Sequence, residues 1–191
     1  MKKIVLASAS PRRKQLLEWA ELPFDILVKH GNEWFPPGLT PSEAAIHIAI
    51  SKAEAVAKDV APGTVIIAAD TMVVLGDHII GKPVHREDAI SMLLALSGDT
   101  HTVITGVCIR EGDKVVSFAD QTHVSFHDLS EEQIEFYVDK YKPFDKAGAY
   151  AIQEWIGVVG IRSIEGDFYN VMGLPVSRVI QSLREEFKAI D

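Results

Sequence analysis

Three cations stand where a helix would repel them. Ser8, Ser10, Arg12, Arg13 and Lys14 fall in Ala-Ser-Ala-Ser-Pro-Arg-Arg-Lys, directly after the apolar run Ile4 to Ala7. Ser10 followed by Pro11 reads as a helix start: serine is the N-cap, and proline takes the first helical position, where its missing N–H costs nothing. A helix N-terminus already carries partial positive charge and unpaired N–H groups, so Arg12, Arg13 and Lys14 are unfavourable there. A bound anion removes the conflict, because dipole, N–H groups, both hydroxyls and both guanidiniums then favour it. The competing reading is a solvated basic helix start. Strand, tight turn, cap and paired arginines together favour the anion site.

Four further charged residues suit the same chemistry. Asp70 is the one charge in Thr64 to Leu75, the strongest strand signal in the chain. A bare carboxylate in an apolar run is costly, so Asp70 must be paired, protonated or bound to metal. A structural salt bridge and a catalytic or metal-binding role both answer that demand. Lys52 lies on the inward stripe Ala45, Ile48, Ala49, Lys52, Ala55, Val56 of a helix. Snorkelling to solvent and reaching into a cleft to contact a phosphate stand level for it. Lys82, bracketed by Gly81 and Pro83, is held on a stiffened backbone beside the Asp70 strand. Glu33, between Asn32 and Trp34 in a turn-rich segment, reads on pattern alone as a surface carboxylate. Cations at Arg12, Arg13, Lys52, Lys82 and Lys146 with carboxylates at Asp70 and Glu33 suit phosphoryl or nucleotidyl transfer with a divalent metal. The cations and metal offset phosphate and leaving-group charge, and a carboxylate orients or deprotonates the water.

Other chemistries find no footing. There is no GxxxxGK[ST] phosphate loop, no GxGxxG after a strand and no GxSxG elbow. His123 and His127 are four apart, but on an alternating strand and without HExxH. A net charge of −8 argues against general nucleic-acid binding, so an anionic substrate must be held by a few placed cations or a metal. The single cysteine, Cys108, excludes an intrachain disulfide and fits a reducing cytoplasm. No stretch is long enough to span a membrane, and the first apolar run is too short for a signal peptide.

The elements that must place these residues alternate strand and helix. Ile4 to Ala7 is a buried strand, followed by a helix to about Ala20 and a second strand over Phe24 to Lys29. Thr40-Pro41-Ser42-Glu43 starts a long helix to Asp59, and Thr64 to Leu75 is the central strand. Arg86 to Leu96 is an amphipathic helix. His101 to Arg110 and Lys114 to Phe126 form a hairpin through Glu111-Gly112-Asp113. Ser130 and Gln133 are spaced for a capping box on a helix to about Tyr141. Gly157 to Ile164 reads as strand, and a final helix runs from Pro175 to Lys188. At 191 residues and 47% apolar, the chain suits one domain built as two lobes around a cleft.

Ala7 to Arg13 also resembles the signature of the Maf nucleotide pyrophosphatases, sometimes called septum formation inhibitors. The resemblance continues at Glu33, Ser51-Lys52-Ala53, Ala69-Asp70-Thr71, Gly81-Lys82-Pro83, Leu96-Ser97-Gly98 with the following His-Thr-Val, Asp145 to Gln153, and Gly166 to Pro175. These segments span nearly the whole chain in order. They imply one Maf-like domain over 1–191: an α/β fold with a long, curved, mixed sheet, flanking helices and two lobes around a substrate cleft. The implied activity is hydrolysis of nucleoside triphosphates to monophosphate and pyrophosphate with Mg²⁺ or Mn²⁺. The residue matching Asp70 is the family's proposed proton acceptor. Those matching Ser8, Arg13, Glu33, Lys52 and Lys82 line the phosphate and metal end, with Glu33 and Asp70 as metal ligands. Arg12, Thr71 and Gln153 resemble the branch acting on dTTP and UTP, canonical or modified. A glutamine amide accepts from N3–H and donates to O4 of uracil or thymine, and cytosine presents the opposite pattern. The chain departs from the family at Glu154-Trp155-Ile156, where relatives more often carry glycine-rich sequence. The resemblance also implies a cytoplasmic homodimer and a house-cleaning or cell-division role. A regulator of septum formation that binds nucleotide without turnover is the alternative. The complete set of candidate catalytic residues favours the enzyme.

Overall fold

Local signals set most of the helix starts. In the computed structural model, which describes residues 1–29 and 33–191, Ser10 accepts from the Arg13 N–H and Pro11 opens α1 (Pro11–Trp19) after β1 (Ile4–Leu6). Thr40 and Glu43 form a reciprocal capping box on α2 (Pro41–Ala57), and Ser130 and Gln133 form another on α4 (Glu131–Tyr141). Each box satisfies two N–H groups that the first turn would otherwise leave without acceptors. Between these helices lie β3 (Val65–Leu75), β4 (His78–Ile80), α3 (Arg86–Leu96), β5 (Thr100–Glu111) and β6 (Lys114–Phe126). The turn expected around Asn32 lies outside the described residues.

The strands form one mixed seven-stranded sheet in the order β2-β1-β3-β5-β6-β7, with β4 paired to β3. Here β2 is Asp25–Ile26 and β7 is Ile161–Glu165. β1 runs parallel to both β2 and β3, whereas β4 on β3 and β7 on β6 are antiparallel. Parallel neighbours need long crossovers, which α1 and α2 supply. This is the α/β architecture with flanking helices expected from the sequence.

Two readings of the sequence change. The strand expected over Phe24 to Lys29 pairs only at Asp25–Ile26, both exposed. The apolar run read as strand from Gly157 instead opens with a helix, α5 (Trp155–Gly160), and turns extended only at Ile161. Glycine explains the difference. A Cβ at Gly157 would lie 1.7 Å from the Ile152 carbonyl oxygen, and one at Gly160 would press on Leu129 and Phe126. Close packing, not β propensity, decides this segment. A short helix, α6 (Phe168–Met172), precedes the last helix, α7 (Val176–Glu185).

The chain divides into two compact units, and β3, β5 and β6 contribute residues to both. The first holds Met1–Asp70, Thr105–Asp120 and Gly173–Asp191. Its core joins Val5, Ala7, Ile66 and Ala68 from the sheet to Ala49, Ala53 and Val56 of α2 and to Cys108. Small residues let α2 lie close: a Cβ at Gly106 would stand 2.3 Å from the Ala45 carbonyl carbon. The second unit holds Thr71–Ile104 and Gln121–Met172. There the buried Asn170 amide donates to the Val103 carbonyl at 3.1 Å and to Thr122 Oγ1 at 3.0 Å, tying α6 to β5 and β6. His101 is buried against Phe126, with Nε2 2.7 Å from the Tyr150 hydroxyl. No helix among the described residues is long and apolar enough to cross a membrane.

Two outcomes follow from this packing. Gly106→Ala forces a methyl into backbone atoms that no rotamer change can move, and we expect a melting temperature lower by roughly 3 to 10 °C; an unchanged melt would contradict the close approach. Burial pushes the His101 imidazole down to about 4, so the folded protein keeps it neutral. Its contribution to stability is therefore complete above the unfolded value of about 6.5 and is lost as pH falls from there to about 4. Between those limits the parent should lose up to about 1.4 kcal/mol per pH unit relative to His101→Gln. Parallel stability curves for the two proteins would remove His101 as the source.

Candidate active site

The candidate residues of the first unit converge at the C-terminal end of β1 and along β3. Ser8 follows β1 directly and is buried, as is Arg13 in the first turn of α1. Arg13 Nη1 donates to Ser8 Oγ at 3.2 Å, and Arg13 Nε donates to the Gly173 carbonyl at 2.7 Å. Ser8 Oγ also accepts from the Ser10 N–H at 3.2 Å, which closes the turn between strand and helix. Burial pulls Arg13 down to about 10, Asp70 and Glu33 pull it back up, and Arg12 repels it. It remains a cation at neutral pH, one that senses both candidate carboxylates. Arg12 is half-buried beside it.

Asp70 is reached by Lys52. The α2 stripe predicted to face inward is buried at Ala45, Ile48, Ala49 and Val56, while Ala55 is only half-buried and Ala53, outside the predicted stripe, is buried. Lys52 extends to place Nζ 2.7 Å from Asp70 Oδ1. The same ammonium lies 3.1 Å from Glu33 Oε1. The Lys52 and Asp70 side chains are only 18% and 16% exposed, whereas Glu33 is 63% exposed. Along β3, Val65 to Ala69 are buried and the burial lifts at Asp70 and Thr71. Met72 to Val74 are buried again, so the carboxylate sits in a short break between two buried stretches of the strand, paired rather than bare. Lys52 forms an ion pair that links two carboxylates. Glu33 is on the surface as its pattern suggested, but it belongs to this cluster.

The second unit carries Thr71, Lys82 and Gln153. Thr71 follows Asp70 on β3 and is half-buried. Lys82 is exposed on a turn whose Gly81 carbonyl accepts from the Gly148 N–H at 3.0 Å. Gly148 adopts φ +68°, and a Cβ there would meet the Val73 methyls at 3.1 Å, so glycine is needed for both reasons. Gln153 is exposed, immediately after the buried Tyr150, Ala151 and Ile152. Lys146, read from sequence as one more cation, is almost buried and lies 2.8 Å from Asp145 and 3.7 Å from Glu154.

Sequence reasoning missed the anchor at Gly173 and the partner of Glu154. The first joins residues 160 positions apart, and only the resemblance at Gly166 to Pro175 marked that region. The second is Tyr137, a core residue of α4 whose hydroxyl donates to Glu154.

A divalent cation fits this donor set. No group of three or more His, Cys, Asp or Glu side chains able to hold a metal occurs among the described residues. Glu33 and Asp70, joined through one ammonium, offer hard oxygen donors with one carboxylate largely open to solvent. That is how Mg²⁺ is commonly held, by one or two carboxylates with substrate phosphates and water completing its shell.

Sheet and flanking helices place the chain in a known α/β class: it is similar to the Ham1 protein of Staphylococcus aureus, with a TM-score of 0.50 at 19% identity over 95% of this chain and 100% of that one. The sequence narrows this. A family model described as Maf-like protein matches residues 3–186, and the chain belongs to the Maf family. It is 49% identical over 183 residues to a dTTP/UTP pyrophosphatase of Parabacteroides distasonis, covering 95% of each chain. It is 53% identical over 184 residues to one from Cytophaga hutchinsonii, covering 96% of this chain and 84% of that one. A third, from Bacillus cereus, is 44% identical over 97% of this chain and 96% of its own.

The Lys52–Asp70 pair can be weighed directly. In a double-mutant cycle of Lys52→Met and Asp70→Asn by denaturant unfolding, we expect a coupling of about 1–3 kcal/mol, above the 0.2–1 of exposed pairs. A coupling near zero would detach Lys52 from Asp70.

Proposed function

We propose that this protein hydrolyses dTTP and UTP to the nucleoside monophosphate and pyrophosphate, with a divalent cation. One observation carries the reading: the Lys52 ammonium held between Asp70 and Glu33, beside the buried Arg13 guanidinium that senses both. The names of the relatives at 44–53% identity support the substrate class.

Each residue then has a task. The Ser8 hydroxyl, Arg12 and Arg13 bind phosphate oxygens at the start of α1, where the helix terminus adds to their attraction. Asp70 orients the attacking water and accepts its proton, and Lys52, 2.7 Å away, holds that carboxylate in place. Lys52 and Lys82 offset the charge that develops on pyrophosphate as the bond to the α-phosphorus breaks. A bound Mg²⁺ or Mn²⁺, held by Glu33 and Asp70, would supply further neutralisation of the phosphate oxygens. Gln153 reads the N3–H and O4 edge of uracil or thymine, and Thr71 and Arg12 accompany it as in the branch the sequence resembles. A site built to pair with one base edge rejects another strongly, because mismatched polar groups are left without partners. The reading includes a cytoplasmic location, which the single buried thiol of Cys108 fits, and a homodimer.

A nucleotide panel tests it. With Mg²⁺ present, dTTP and UTP, with their modified forms, should be hydrolysed well ahead of CTP, ATP and GTP. Chromatography should find monophosphate and pyrophosphate in equal amounts. Equal rates on CTP and UTP would overturn the base assignment, and release of diphosphate with orthophosphate would overturn the bond assignment. Chelator should abolish turnover and added Mg²⁺ or Mn²⁺ restore it; full activity in chelator would remove the metal from the mechanism.

A further inference from the structure

Gln153 stands on a turn that one phenol holds at both ends. Tyr137, fully buried in α4, accepts from the Ala151 N–H at 3.1 Å and donates its own proton to the Glu154 carboxylate. The Glu154 N–H closes the turn on the Ala151 carbonyl at 3.1 Å. Glu154 occupies the N-cap position of α5, yet its side chain makes no capping bond. It is drawn instead to Tyr137, and its second oxygen lies 3.7 Å from the Lys146 ammonium, whose side chain is 10% exposed. The neighbouring pair repeats the attachment: Trp155 packs edge-on against Phe136, with centroids 4.9 Å apart. Lys146, Glu154, Tyr137 and the Ala151 amide thus form one chain of satisfied polar groups on either side of an exposed glutamine.

This arrangement has more rigidity than a surface loop needs. A hydrogen bond from a phenol to a charged carboxylate is stronger than one between neutral groups, and the Lys146 ammonium lies 3.7 Å from the same carboxylate. Removing any member leaves the others short of a partner, which a network inside a protein tolerates poorly. A fixed turn fixes the Cα of Gln153, and with it the positions from which its amide can reach the edge of a base; a slack turn spreads those positions and weakens the choice between pyrimidines.

We propose that Tyr137, Glu154 and Lys146 are positioning residues for base choice: they clamp the Ala151–Glu154 turn and so set how faithfully Gln153 discriminates between pyrimidines. The inference rests on the base-reading role of Gln153. The bonds that tie Tyr137, Glu154 and Lys146 run to the Gln153 turn, so the proposed effect is on selectivity rather than on the chemical step.

The test compares dTTP and CTP kinetics for the parent, Tyr137→Phe, Glu154→Ala, Glu154→Gln and Gln153→Glu, with melting curves for each. Tyr137→Phe and Glu154→Ala should lower the dTTP-over-CTP ratio of kcat/KM by about tenfold. The loss should appear in KM for dTTP, with kcat within about twofold of the parent. Glu154→Gln keeps an acceptor for the Tyr137 hydroxyl and should retain most of the selectivity. Glu154 is partly exposed, so its alanine variant carries the test if Tyr137→Phe proves too unstable to assay. Parental selectivity in the folded Glu154→Ala protein, or equal losses on dTTP and CTP, would overturn the proposal. If Gln153→Glu itself keeps the parental preference, the base reading fails and this inference falls with it. If Gln153→Glu erodes the preference and the clamp variants do not, the clamp alone is wrong.

Discussion

The site depends on one ammonium. Asp70 interrupts the buried run of the most apolar strand, where an unpaired carboxylate would cost several kcal/mol in lost hydration. Lys52 answers it from α2 at 2.7 Å, and α2 packs close on β5 at Gly106. Ala45, Ala49 and Ala53 on the helix and Gly106 on β5 supply that closeness, since larger side chains would hold the helix off. The constraint runs from backbone approach to side-chain reach to the pairing of a carboxylate. Glu33 joins the same ammonium at 3.1 Å, so one lysine organises both acidic groups that a divalent cation would need.

The buried arginine is the complementary device. A guanidinium in the core is tolerated because its donors are used: Nε on the Gly173 carbonyl and Nη1 on the Ser8 hydroxyl. Burial lowers its proton affinity only to about 10, with Asp70 and Glu33 opposing the shift. It therefore presents a fixed positive charge at the start of α1, where the helix already favours anions. In a protein of net charge −8, attraction for any anion must come from local cations such as this one.

Short-range chemistry was legible in the sequence, and long-range geometry was not. Ser10 with Pro11, Thr40 with Glu43 and Ser130 with Gln133 each mark a helix start through contacts within four residues, and all three caps form. The bounds of α3 were read correctly for the same reason, from an amphipathic run with a clear stop. Asp70 was recognisable because a charge inside an apolar strand demands a partner, but the identity of that partner was not. Periodicity leaves Lys52 poised between snorkelling and substrate contact, and its ion pair with Asp70 depends on a distance to β3 that periodicity does not carry. The α5 segment misled because its β-branched residues argue for strand, whereas Gly157 and Gly160 meet neighbours that admit no side chain. Tyr137 carries no local sequence signal for its tie to Glu154, which depends on how α4 and α5 pack. The family resemblance marked most of the candidate residues, including Glu33, which the pattern alone left on the surface.

The most direct trial of this account is Asp70→Asn, which keeps shape and removes charge. Steady-state kinetics on dTTP, a melting curve and nucleotide affinity would be measured on that one variant. The account predicts a folded protein that still binds nucleotide through Arg12, Arg13 and the lysines, with kcat lower by about a hundredfold or more. Turnover of dTTP near the parental rate, or failure to fold, would place Asp70 in the scaffold and contradict its role in the chemical step.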